Sequence, residues 1–372
     1  MGDGDARPAR KRGPRRSEGG GAVTLRHVAE RVGLSPATVS MVLNQAPTAA
    51  SIPSETQERI FAAVRELNYR PNYLARSLRS RRTYSVGVLV PEISEPYAAE
   101  VMSGIEGHLL EARYHYLVAS HRRSNADLLH EYIDLMRDRA VEGLILVASE
   151  LHEPPALPAV VVSGHVPLPG VTNVVIDHDR AADDALRLLA ALGHRKVAFF
   201  KGQPGSADTD DRWRAIAEAA RSLGLAVRPE LTVQLSGEPS LATFSPADGY
   251  EEGYTFGRTL LERGVEFTAL FAFDDVSAIG AIRAFLDAGL RVPEDVSVIG
   301  FDDIQSAAYQ NPTLTTVRQP LRRMGELAAR ILLGRSGGEP AEAQPFVTVA
   351  PELVVRGSTA PAPRRRAKKG RS

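Results

Sequence analysis

Hydrophobic positions along this chain follow two periods in succession. Leu25, Val28, Ala29 and Val32 recur at i, i+3, i+4 and i+7, one face of a short helix. Thr24 stands where its N-cap belongs. Gly33 stops the pattern, and Ser35 then supplies a second N-cap with Pro36 at the first helical position, where a missing N–H costs nothing. Val39, Val42 and Leu43 give this second helix its buried side. Ser54-Glu-Thr-Gln57 reads as a capping box opening a third helix, with Ile60, Phe61, Val64 and Leu67 turned inward. Two short helices joined at a glycine and braced by a third predict a helix-turn-helix unit over residues 23–70.

Beyond Pro71 the period changes. A short segment, Asn72–Arg79, ends in a basic run, and from Ser85 apolar β-branched stretches alternate with helical ones. Strands are expected at Ser85–Val90, Tyr116–Ala119, Gly143–Val147, Ala159–Val162, Val174–Ile176, Val197–Phe200, Thr232–Leu235, Leu270–Phe273 and Val296–Gly300. Strands that are apolar on both faces and separated by helices imply parallel βαβ sheets. Some 270 residues of this kind suit two lobes of similar size, placed at 83–356. Residues 1–22 and 357–372 show no hydrophobic period and are expected as disordered basic tails.

Charge sharpens the division. The formal net charge is zero. It resolves into +8 for residues 1–82 (15 Lys+Arg, 7 Asp+Glu), +7 for residues 356–372, and −15 for the stretch between. A basic head on an acidic body fits a head that alone meets a polyanion. The tails do not account for it, because residues 24–82 hold nine basic and four acidic side chains. The chain has no cysteine, which excludes disulfides and thiolate–metal sites. No stretch approaches the roughly 20 apolar residues of a membrane span, and the N-terminal basic residues lack the apolar run of an export signal. The expected location is the cytoplasm.

Several segments together carry a resemblance: TLRHVAERVGLSPATVSMVLN (24–44), ETQERIFAAVRELNYRPNYLARSLRSRRTYSVGVLVPEIS (55–94), GLILVAS (143–149), LGHRKVAFF (192–200), AFDDVSAIGAIRAFLDAGLRVPEDVSVIGFDDI (272–304) and PTLTTVRQP (312–320). In this order and spacing they resemble the lac-repressor/gal-repressor family of bacterial transcriptional regulators over nearly the whole chain. The resemblance implies an all-α helix-turn-helix head on an α/β body of two Rossmann-like parallel-sheet lobes, of the periplasmic-binding-protein type. It implies a homodimer on a pseudo-palindromic operator, with the second helix in the major groove. Pro36, Ala37, Ser40 and Met41 then face bases, and Thr38 and Asn44 suit phosphates; Thr24 and Ser35, at the helix N-termini, complete the head's set. Met41 stands where family members often carry arginine or histidine, so apolar contact, such as with a thymine methyl, replaces donation to guanine. The loop Gln45–Pro53 is about three residues longer than usual in the family. Residues 71–82 match the hinge helix and linker: Leu78 as a minor-groove wedge, with Asn72, Arg76 and Arg79 beside it.

The same resemblance implies a small-molecule effector between the lobes and no cofactor, metal or catalytic residue. Carried over position by position, its contacts are Tyr97, Arg212, Phe244, Asp274 and Asp302. An arginine, two carboxylates and two aromatic faces suit a polar ring: a sugar first, a nucleoside- or purine-like corepressor as the alternative. A periplasmic binding protein shares the body but lacks residues 24–82. An enzyme would need a motif such as Gly-x-Ser-x-Gly, a phosphate loop or His-Glu-x-x-His, none of which occurs, and the nine histidines are scattered along the sequence. The adjacent pairs Asp274-Asp275 and Asp302-Asp303 fit polar ligand binding.

Overall fold

The computed structural model of the chain describes residues 23–44, 47–70, 82–121, 126–204, 206–236, 248–336 and 344–363. Among the expected site residues, Asn72, Arg76, Leu78, Arg79 and Phe244 lie outside these. Two compact units part between Arg82 and Thr83.

The first unit is helical. Helix α1 (Leu25–Val32) opens with the Thr24 N–H donating to His27 Nδ1 at 3.2 Å. It closes at Gly33, whose φ of 68° is left-handed backbone that only glycine adopts without strain. Helix α2 (Pro36–Leu43) follows at once, and the Ser35 hydroxyl accepts from Thr38 N at 3.1 Å. Helix α3 (Ser54–Glu66) begins one residue earlier than the capping-box reading requires. Pro53 is its N-cap, Ser54 is already helical, and no side-chain cap forms. Gln57 instead reaches back to the carbonyls of Ala49 and Ile52, at 3.1 and 2.9 Å, and clamps the preceding 3₁₀ turn Pro47–Ser51 onto the helix. The core is Val28, Ala29, Val32, Val39, Val42, Ile60 and Ala63, with Tyr69 beneath; Phe61, Val64 and Leu67 are partly buried around it.

The second unit holds two six-stranded sheets. Lobe 1 orders its strands β11-β5-β4-β3-β1-β2, all parallel: β1 Ser85–Val90, β2 His115–Ser120, β3 Leu144–Val147, β4 Ala159–Val162, β5 Val171–Ile176 and β11 Phe346–Val349. Helix α4 (Pro96–Glu111) and helix α11 (Leu321–Ser336) share one face of it. They touch at glycines: a Cβ on Gly104 would strike the Arg322 carbonyl, and one on Gly325 the Val101 carbonyl. Helix α5 (Ala126–Asp138) packs Leu129 and Met136 on the other face.

Lobe 2 orders β12-β10-β9-β8-β6-β7: β6 Val197–Lys201, β7 Thr232–Gln234, β8 Ala269–Phe271, β9 Ser297–Asp302, β10 Thr315–Arg318 and β12 Glu352–Val354. All its pairings are parallel except the edge strand β12, which runs against β10. Helices α6 (His178–Ala191) and α7 (Thr209–Ser222) cover one face. Helices α8 (Asp248–Glu262) and α9 (Asp275–Asp287) cover the other, with the short α10 (Gln305–Tyr309) following β9. The chain passes between the lobes three times: at Asp177 after β5, at Gln319-Pro320 before α11, and at Ala350-Pro351 between β11 and β12.

Folded structure continues past residue 356, where the sequence pattern suggests a tail. Ser358 is buried, its hydroxyl donates to Val298 O at 2.6 Å, and its carbonyl accepts from Val298 N at 2.8 Å. His194 Nε2 meets Ala360 O at 3.0 Å, and Ala362 N donates to Leu192 O. These contacts use backbone and small hydroxyls, so no hydrophobic period announces them.

Candidate functional site

The chemistry divides between the exposed edge of α2 and the cleft between the lobes. On α2, Pro36, Ala37 and Asn44 are exposed while Thr38, Ser40 and Met41 are half-buried. The surface is held by its own polar groups. The Ser35 and Thr38 hydroxyls lie 2.9 Å apart, and Asn44 Nδ2 donates to Ser40 Oγ at 3.0 Å. Met41 is partly covered by the long loop, where Thr48 Oγ1 donates to its sulfur at 3.4 Å. At the far end of the three-helix unit, Arg59 donates to the Val32 carbonyl that closes α1, and Arg31 pairs with Glu66.

In the cleft, β6 ends at Lys201 and the chain enters α7 through Asp208. Four residues on, a full helical turn, Arg212 returns to the same spot: its guanidinium donates to Asp208 Oδ2 at 2.9 Å and to Phe273 O at 2.6 Å. The guanidinium lies 4.3 Å from the Phe273 ring centre and 3.9 Å from that of Phe301, with only 3% of the residue exposed. Its Nε has no protein partner. Aromatic faces and a paired carboxylate are what allow a cation to be buried this deeply.

Asp302 ends β9 with φ of 109°, a left-handed conformation costly for a residue with a Cβ. Gln319 Nε2, at the second crossover, donates to its Oδ1 at 2.7 Å. Burial pushes its acid up to about 8, against the pull of Arg212 and with the push of Asp274. The group is thus largely protonated at neutral pH and can donate a hydrogen bond. Asp274 caps α9, accepting from Ser277 N at 2.7 Å, and burial raises its acid too. Tyr97, near the start of α4 in lobe 1, shares a 2.6 Å hydrogen bond with Ser163. Burial and then the charge of Asp208 raise its phenol, with Asp302 and Arg212 acting on it as well. Tyr97, Arg212, Asp274 and Asp302 therefore form one electrostatic neighbourhood.

Their sequence neighbours do not join it. Asp275 is fully buried as a staple, taking Thr316 Oγ1 at 2.6 Å and Ile304 N at 2.9 Å, and a Cβ at Gly300 would collide with it. Asp303 pairs with Arg318 and Arg356, at 2.7 and 2.6 Å. Both hold the fold rather than facing the cleft, against the expectation for the acidic pairs.

Sequence reasoning missed the residue at the centre. Asp208 Oδ1 meets His165 Nε2 at 2.6 Å and His178 Nε2 at 3.3 Å. His165 follows β4 in lobe 1, whereas Asp208 and His178 belong to lobe 2, so two histidines counted as scattered converge across the cleft. Burial alone would raise the Asp208 acid, but both histidines and Arg212 hold it well below the usual carboxylate range. Burial lowers His178, which stays neutral; in His165 the burial penalty is outweighed by Asp208 and Asp211, and its pKa rises. A cavity of about 240 Å³ adjoins this group, lined by Ser149, Leu151, His165 and Asn173 of lobe 1 and by Thr209 and Asp211 of lobe 2. The spacing Asp208-x-x-x-Arg212 at a helix start was the one signal in the sequence that could have drawn attention to it.

Comparison with known proteins agrees with both halves. Residues 24–72 match the model for bacterial regulatory proteins of the lacI family, and residues 186–359 the model for a periplasmic binding protein-like domain. The HTH-type transcriptional repressor PurR of Erwinia tasmaniensis is 33% identical over 351 residues, covering 92% of this chain and 98% of that one. Among solved structures, the lac repressor bound to ONPG in its repressed state aligns over 91% of this chain and 100% of its own, with TM-score 0.78 and 25% identity. The transcriptional regulator CelR in complex with cellobiose aligns over 90% and 99%, with TM-score 0.65 and 28% identity. The chain belongs to the lacI family of bacterial regulatory proteins and is a DNA-binding transcriptional regulator.

Proposed function

We propose that two copies of the chain repress transcription by gripping a pseudo-palindromic operator, and that a sugar held between the lobes sets how tightly. Pro36, Ala37, Ser40 and Met41 meet base edges; Thr24, Ser35, Thr38 and Asn44 meet the backbone; Asn72, Arg76, Leu78 and Arg79 fold into the minor groove as a hinge. The protein works in the cytoplasm, where its DNA is, and catalyses no reaction. In the cleft, Arg212 offers its unpartnered Nε, protonated Asp302 donates, Asp274 accepts, and Tyr97 and Phe244 supply flat faces.

The observation that carries the reading is the gathering of a buried arginine and two raised carboxylates beside an aromatic from the opposite lobe. Such a set matches the mixed donors and acceptors of a polyhydroxylated ring. The sugar-bound state of the CelR relative points the same way. The test is a gel-shift titration on duplexes from the gene's own promoter region, with a panel of sugars, purine bases and nucleosides. Typical coupling predicts an operator affinity change of about 5- to 150-fold for the effector. A response to a nucleoside alone would establish the alternative effector class. No sequence preference for any duplex would end the reading.

A further inference from the structure

The histidine–aspartate group that bridges the lobes offers a chemistry that effector binding does not use. One ring nitrogen each of His165 and His178 and a carboxylate oxygen of Asp208 all lie within 4.8 Å of one another. We infer that His165, His178 and Asp208 form a binding site for a divalent transition-metal ion of the Zn²⁺ type, which staples lobe 1 to lobe 2.

Four features support it. Two imidazoles and one carboxylate are a common protein ligand set for Zn²⁺, and they leave a position for water or a small ligand. Their present spacings, 2.6 and 3.3 Å to Asp208 Oδ1, need only a slight spread to admit an ion at about 2.0–2.2 Å from each. The outer support exists on lobe 2: Asp211 Oδ2 stands 3.4 Å from His165 Nδ1, the carboxylate–imidazole pairing that fixes a ligating ring and strengthens it as a donor. The cavity lined by His165 and Asp211 gives an entry path.

Arg212 is the obvious objection, since it adds a positive charge 2.9 Å from Asp208. It occupies Oδ2, however, and leaves Oδ1 to the histidines. Asp211 supplies a second negative charge, so the two carboxylates outnumber the single guanidinium. An oxygen-seeking ion such as Mg²⁺ finds too few oxygens here. The ion draws on one residue of lobe 1 and two of lobe 2, so it binds the closed arrangement and not the parted one. It also engages the partner of Arg212, which links metal occupancy to the effector site.

The test uses the full chain, titrated with Zn²⁺ by calorimetry and with Co²⁺ by visible absorption. No cysteine is present to compete, and neither terminal tail contains histidine. The expected result is one ion per chain, lost in H165Q and H178Q, weakened about 10- to 100-fold in D211N, and indifferent to Mg²⁺. H165Q alters a loop side chain and decides alone should H178Q fail to fold. Absence of one-to-one binding, or equal binding by the wild type and H165Q, would overturn the site. Either outcome is independent of operator recognition, because it is read without DNA.

Discussion

The helical head and the two-lobed body bury different things. The head hides hydrocarbon, and its ion pairs Arg26–Glu30 and Arg31–Glu66 stay on the surface. The body sinks Arg212, Asp208, Asp275, Asp302 and His178 below 10% exposure. A domain that works from its outside needs only a packed interior and well-made helix ends. One that works from its inside must hold charge in a low dielectric, each group balanced by another. Packing and caps therefore govern the stability of the head, while pairing and pH govern that of the body.

The largest break in this contrast is Arg212→Ala. It removes the guanidinium from Asp208, and losing one partner of a buried pair costs about 3–5 kcal/mol. Trp213, the single tryptophan, sits edge-on to Phe199 at 5.9 Å, so its fluorescence during urea unfolding reads the body. An unshifted midpoint would contradict the account. In the head, Ile60→Ala empties the centre of a small core at about 2–5 kcal/mol. Circular dichroism should show the helical unit melting early while the Trp213 transition stays in place.

Per pH unit the pH arm is smaller, and it has a definite sign. Asp302 is raised by burial to about 8, whereas an unfolded aspartate titrates near 3.9. Between those values the native state keeps a proton that the unfolded chain has lost. Stability therefore falls as pH rises, by up to about 1.4 kcal/mol per unit, and levels off above about 8. Asp302→Asn should flatten that part of the slope in urea midpoints taken across this range. Smallest is Ser35→Ala, which strips the acceptor from Thr38 N and should cost the head about 1 kcal/mol. Thermal melts of the head check it, and no body property should change.

How much could be read beforehand follows the same division. Thr24, Gly33, Ser35 and Pro36 are local signals, and they fix α1 and α2 to the residue. Strands buried on both faces, β1 and β4, also emerge with their ends correct. Missed were β10, β11 and β12, short stretches mixing threonine, glutamate and arginine with a few apolar residues. In the cleft, Arg212, Asp274, Asp302 and Tyr97 were legible through family position. Asp208 and His165 were not: they lie 43 residues apart on different lobes, and only the folded chain makes them neighbours.

The three crossovers set an order of assembly on the ribosome. Lobe 2 is nearly contiguous, from Asp177 to Arg318, with only its edge strand β12 and the Ser358–Ala362 segment to come. Of the lobes, lobe 1 emerges first yet stays unfinished, because Met324, Ala328 and Leu332 of α11 and the β11 partner of β5 are made only after Arg318 of lobe 2. Val349 follows Ile176 by about 170 residues, a delay of about 10–35 s at bacterial elongation rates. Throughout that interval the α4 side of the first sheet, with Val101 and Ile105, lacks its cover. Of the two lobes, the one synthesised first is thus the one that most needs shielding from its neighbours.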